Sequence, residues 1–210
     1  MCLKRNYDTI AWFYDRLARL VYGKTLVQAQ QFLIKAIPAN TNVLIVGGGT
    51  GWVLEEILKI HTAGLNITYV DASAEMIARA QKRNAGKNTV GFIAAPIENA
   101  GIVGTYDVVL TPFLFDNFTD DSLRKIFSFI DAHVAADCMW LYCDFQNTEV
   151  LWQKTLLKVM YIFFRVSCGI EASCLPDAGA YFTRFGYQIK NQKGFMNGFI
   201  LSAVYERRMR

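Results

Sequence analysis

The chain has 210 residues, of which 53% are apolar and 19% charged, and its net charge is +4. That balance supports one globular domain and excludes a disordered or low-complexity chain. The charge is too small to indicate a nucleic-acid partner on its own.

From the amino end, "MCLKRNYDTI" lacks the apolar core of a signal peptide. Residues 9–22 place Ile10, Phe13, Leu17, Leu20 and Val21 at helical spacing, so one or two helices precede the first strand. Five segments then pair an apolar run with a following element: "NVLIVG" (42–47) with a helix over 51–62, "NITYVD" (66–71) with 73–84, and "TVGFIAA" (89–95) with a short polar segment. "YDVVLT" (106–111) precedes a helix over 119–134, and "CMWLYCDF" (138–145) precedes a long segment over 149–168. Runs that are apolar on both faces and separated by helices predict a parallel sheet covered on both sides. Ser73 and Thr119 or Asp120 are the predicted helix caps. The end differs: "GYQIKNQKGFMNGFILSAVYERR" holds two extended runs joined by a glycine turn, a hairpin that closes the sheet with antiparallel strands.

Five cysteines, at 2, 138, 143, 168 and 174, form no CxxC pair, and only His61 and His133 could join them. They predict reduced thiols in a cytoplasmic protein and no metal site. The greasiest run, "VMYIFF" over 159–164, falls far short of the roughly 20 residues of a membrane span.

The first strand–turn–helix, "VLIVGGGTGWVLEEIL" over 43–58, is a nucleotide-loop candidate. No lysine follows Gly51, which removes a P-loop. A dinucleotide loop would put its third glycine at Trp52, where close packing admits no side chain. What remains is Gly47, Gly49 and Gly51 with Thr50 among them. Asp71 ends the second strand twenty residues after Gly51, where an acid can accept hydrogen bonds from ribose hydroxyls. Loop and acid together predict an adenosine-like ligand.

These stretches resemble the class I S-adenosylmethionine-dependent methyltransferases: "VLIVGGGTG" the family's first motif, "YVDASAEMIARAQKR" the segment after it, and "YDVVLTPFLFDNF" the fourth. The start, "NYDTIAWFYDRLARLVYG", is similar to the lid helix of ubiquinone- and menaquinone-type methyltransferases. The resemblance implies a Rossmann-like, doubly wound α/β fold with a seven-stranded, mostly parallel sheet and a C-terminal antiparallel hairpin. It implies one domain over 1–210, divided into lid helices (1–41), cofactor-binding core (42–145), acceptor-side insertion (146–185) and hairpin (186–210). The implied cofactor is S-adenosyl-L-methionine. The implied contacts are Tyr14, Gly47, Gly49, Thr50, Gly51, Asp71, Ala72, Ser73, Met76, Pro96, Ile97, Glu98, Thr111, Pro112 and Phe113. Trp12, Phe115, Phe164 and Arg165 are the implied acceptor contacts, and Asp116 is the candidate general base. Phe115 and Phe118 have an alternative role, packing a helix onto the sheet.

Two positions depart from the family pattern. Ile45 stands where an acid usually approaches the methionine amino group. Pro96 stands where an Asp often meets the adenine, with Glu98 two residues on. They leave open a cofactor-binding protein without turnover. The partners implied are a small-molecule acceptor and no nucleic acid. Residues 151–165 leave a peripheral membrane contact open, without stable insertion, and both monomer and homodimer stay open.

Overall fold

The computed structural model describes residues 22–168, 172 and 174–207, except the side chains at 164, 167 and 168. The predicted helix over 9–22 therefore lies outside the described residues, apart from Tyr22. In chain order the elements are α1 (Thr25–Ile34), β1 (Asn42–Val46), α2 (Trp52–Leu58), β2 (Ala63–Asp71), α3 (Ala74–Ala80), β3 (Lys87–Ala94) and β4 (Tyr106–Pro112). They continue with α4 (Asp120–Asp131), β5 (Val134–Phe145), α5 (Leu151–Cys168), α6 (Ala178–Arg184), β6 (Tyr187–Phe195) and β7 (Ile200–Arg207). Short 3-10 turns stand at Ile97–Asn99 and Phe115–Asn117.

All seven strands form one sheet in the order β3-β2-β1-β4-β5-β7-β6. β1 pairs in parallel with β2 and β4, and β2 with β3, β4 with β5 likewise. β7 is antiparallel to both β5 and β6. The Rossmann-like doubly wound sheet and its closing hairpin are thus as expected. The chain leaves β1 toward β2 on one side and reaches β4 on the other. That reversal opens a crevice at the carboxyl ends of β1 and β4, the place where such sheets hold ligands.

Strand parity explains the apolar runs. Val43 and Ile45 of β1, with Val108 and Leu110 of β4, face the core under α1 and α2. Leu44, Val46 and Val109 face the other layer, with Phe127 of α4 and Phe182 of α6. A strand buried on both faces cannot show polar–apolar alternation. The two predicted caps form: Ser73 Oγ accepts from Met76 N–H at 3.1 Å, and Thr119 Oγ1 from Ser122 N–H at 3.4 Å. α6 adds an element that the sequence reading lacked, and Asp177 caps it. β5 begins at Val134 rather than 138, where α4 has already ended at Asp131.

Candidate active site

The glycine loop is held in place through its backbone. Gly47, Gly49 and Gly51 have φ of 71°, 64° and 81°, a left-handed conformation that side chains disfavour. A Cβ on Gly48 would stand 2.3 Å from the Tyr69 ring, and one on Gly51 2.6 Å from the Ala80 Cα. The loop therefore presses against β2 on one side and α3 on the other. Gly49 N–H donates to Asp71 Oδ2 at 2.9 Å, while Tyr69 Oη donates to Gly49 O at 3.1 Å. Ser73 N–H donates to Asp71 Oδ1 at 2.9 Å, so one carboxylate spans the two turns after β1 and β2. Arg83 Nε donates to Thr50 O at 3.1 Å and its Nη1 to Glu55 Oε1 at 2.9 Å, tying the loop to the end of α3.

Over this loop lies a cleft of about 150 Å³. It is lined by Gly47 to Thr50 of the loop, by Leu26, Val27 and Gln30 of α1, and by Met76, Pro112 and Phe113. Phe113 has φ of 51°, an unusual conformation for a bulky residue, and it swings its ring onto Phe145 at 5.3 Å.

Beyond Phe113 the chemistry changes from backbone amides to carboxylates. Asp144 is buried near the end of β5. Its Oδ2 accepts from Phe115 N–H at 2.8 Å and Asp116 N–H at 3.2 Å, and its Oδ1 from Phe145 N–H at 2.8 Å. Burial nevertheless raises the Asp144 carboxyl to about 7, against the lowering effect of those N–H groups. Burial, then the neighbouring Asp144 charge, pushes Asp116 well above the usual carboxylate range. Two phenols flank the pair. Tyr161 Oη of α5 donates to Asp116 O at 3.2 Å, and Tyr22 Oη donates to Met160 Sδ of the same helix. Burial and then the Asp116 charge raise both phenols. A carboxyl raised above its ordinary range beside phenols can exchange a proton with a hydroxyl or amine.

The residues named from sequence divide accordingly. Gly47, Gly49, Thr50, Met76, Pro112 and Phe113 come together around the cleft, Gly51 and Asp71 brace its loop, and Ser73 caps α3 beside them. Ala72, Pro96 and Glu98 are exposed on the turns after β2 and β3. Three residues are corrected. Thr111 is fully buried on the other face of the sheet, where its Oγ1 accepts from Trp140 Nε1 at 3.0 Å. Strand parity sends it away from Pro112. Ile97 packs into that same layer. Phe115 is 1% exposed and lies among Phe127, Trp140, Tyr142 and Phe182, so it packs the sheet and does not wall the cleft. Phe118 packs partly buried against the same layer. Arg165 is exposed on α5. Tyr14, Trp12 and the Phe164 side chain lie outside the described residues.

Sequence reasoning missed Tyr69, Arg83 and Asp144. Tyr69 was readable: it stands two residues before Asp71 on a strand and so shares its face. Among the described residues no group of His, Cys, Asp and Glu is placed to hold a metal, and no helix is long and apolar enough to cross a membrane.

Residues 43–137 match the model of a family described as a methyltransferase domain. Over 126 residues the chain is 29% identical to the ubiquinone/menaquinone biosynthesis C-methyltransferase of Geotalea daltonii, covering 57% of this chain and 54% of that protein. The chain thus spans about half the length of the curated relative that it matches. Among solved structures it is similar to the magnesium protoporphyrin IX methyltransferase of Synechocystis PCC 6803 with bound S-adenosylhomocysteine. There the TM-score is 0.66 at 15% identity, over 96% of this chain and 97% of that one. The mitomycin 7-O-methyltransferase gives a TM-score of 0.65 at 17% identity, over 95% of this chain but 60% of that one. At such identities the likeness shows the fold.

Proposed function

We propose that this chain, whose residues 43–137 match the model of a methyltransferase domain, binds S-adenosyl-L-methionine and methylates a small lipophilic or aromatic acceptor. The observation that carries this reading is the Gly49–Asp71 junction beneath the cleft. The residues fit the group: nothing lies within 4 Å of where a Gly49 Cβ would stand, so backbone faces open space just where a ligand must approach closely.

When bound, the cofactor supplies a methyl group already activated on a sulfonium. The chain's share is then binding, orientation and proton handling. Asp71 would receive the ribose hydroxyls, with the turn of Ala72 and Ser73 beside it. Thr50 and the Gly47–Gly49 backbone would face the methionine portion. Met76 would pack against the nucleoside, and exposed Pro96 and Glu98 would stand at its rim. Pro112 and Phe113 would fence the methyl end against water, and aromatic faces suit a sulfonium. Asp116 would take the acceptor's proton at its carboxylate. In this reading Tyr14 and Trp12 belong to a lid over 1–41, and 146–185 form the acceptor side.

Ile45 favours a second reading, binding without turnover. It is fully buried where the resembling family places an acid, so one handle on the methionine amino group is absent. The test is S-adenosylhomocysteine release from labelled cofactor across a panel of lipophilic phenols and amines. We expect transfer that falls at least tenfold in Asp116→Asn. Cofactor binding with no methylated product from any acceptor would leave the second reading standing.

A further inference from the structure

The outer face of α5 combines two surfaces that water does not favour together. Five of the nine large apolar side chains exposed among the described residues lie on this one helix: Leu151 (80% exposed), Trp152, Val159, Ile162 (64%) and Val166 (82%). At 100° per residue, Leu151, Ile162, Val166 and Val159 fall within one 80° stripe, with Trp152 at its edge. Lys154, Lys158 and Arg165 form a second, exposed line about 20–60° to the other side of Leu151. Among the described residues the one acid ion-paired to this line is Glu149, which precedes the helix and bonds Lys154 at 2.7 Å. The inner face is fastened to the fold through Gln153, Met160 and Tyr161. The outer face is thus presented on a rigid support.

We infer that α5 docks the protein on an anionic lipid surface, its apolar stripe entering the headgroup–acyl boundary and Lys154, Lys158 and Arg165 meeting lipid phosphates. The charge pattern selects this occupant. A nucleic acid or an acidic protein surface could satisfy the three cations, but it would leave Leu151, Ile162 and Val166 in water. A lipid interface takes both lines at once, since the basic side chains snorkel beside the buried stripe. With 18 residues and three cations the helix lies in the interface and does not cross it. The inference stands apart from the catalytic reading.

The test is sedimentation of the full chain with vesicles of phosphatidylcholine containing about one-third phosphatidylglycerol. We expect binding to these vesicles, little to pure phosphatidylcholine, and a loss as salt is raised. Lys158→Gln and Arg165→Gln should each weaken it about fivefold. Ile162→Asp with Val166→Asp should abolish it, and because both positions are exposed the variant should keep the wild-type unfolding midpoint. S-adenosylhomocysteine affinity of that double variant should equal the wild type's, which separates docking from the cofactor reading. No vesicle binding, or binding that the variants leave unchanged, overturns the inference. So does a wild-type dimer in solution that the double variant makes monomeric, since a second copy would then own the face.

Discussion

The two ends of the crevice are built from different materials. At the β1–β2 end, the surface offered to a ligand is main chain: three glycines with positive φ, braced by Asp71, Tyr69 and Arg83. At the β4–β5 end it is the side chains of Pro112 and Phe113, and behind them lie two neighbouring carboxyls, two buried phenols and the Phe113–Phe145 ring pair. The main-chain surface tolerates little change, because a Cβ on Gly47, Gly48 or Gly51 would meet a neighbour within 3 Å and Gly49 sits at positive φ. Side-chain surfaces can be rewritten residue by residue. In the proposed reading the first end would serve the cofactor and the second the acceptor.

The sharpest way to break that division is Phe115→Ala. If Phe115 belongs to the packing behind the carboxyl end, its loss leaves a cavity among four aromatic rings. It should then destabilise the fold by about 3–5 kcal/mol in urea unfolding, with cofactor affinity of the folded fraction unchanged. An acceptor-specific loss at wild-type stability would return Phe115 to the cleft. Gly51→Val comes next. A side chain at φ of 81° and 2.6 Å from the Ala80 Cα should cost about 2–4 kcal/mol and displace the loop. Wild-type stability there would contradict a backbone-built end.

The carboxyl pair predicts a smaller, pH-graded effect. An acid whose pKa is raised on folding holds a proton that the unfolded chain has released. The contribution of Asp144 to stability should therefore fall as pH climbs from about 4 through about 7. Asp144→Asn should flatten that slope, by at most about 1.4 kcal/mol per pH unit for one proton, in unfolding midpoints between pH 5 and 8. An identical slope in the variant would place the titration elsewhere. Smallest is Ser73→Ala, which removes the α3 cap for about 1 kcal/mol and should weaken the cofactor end alone.

The sequence was most legible where backbone rules dominate. The glycine spacing, the acid closing β2, the caps at Ser73 and Thr119 and the final hairpin follow from conformational preference over a few residues. The fourth loop was less so. Thr111, Pro112, Phe113 and Phe115 read as one contiguous site, yet parity sends Thr111 to the Trp140 side, and the positive φ of Phe113 turns the chain before Phe115. A turn without glycine leaves no mark in composition. Asp144 was hidden for a similar reason: a single acid in "CMWLYCDF" does not reveal that three N–H groups 29 or fewer residues away converge on it.

The most direct measurement is isothermal titration of the purified protein and of Asp71→Ala with S-adenosylhomocysteine, with NAD as control. The account predicts micromolar binding by the wild type, at least a tenfold loss in the variant, and no heat with NAD. Equal affinity in the two proteins, or no binding by the wild type, would contradict the assignment of the loop and Asp71 to the cofactor.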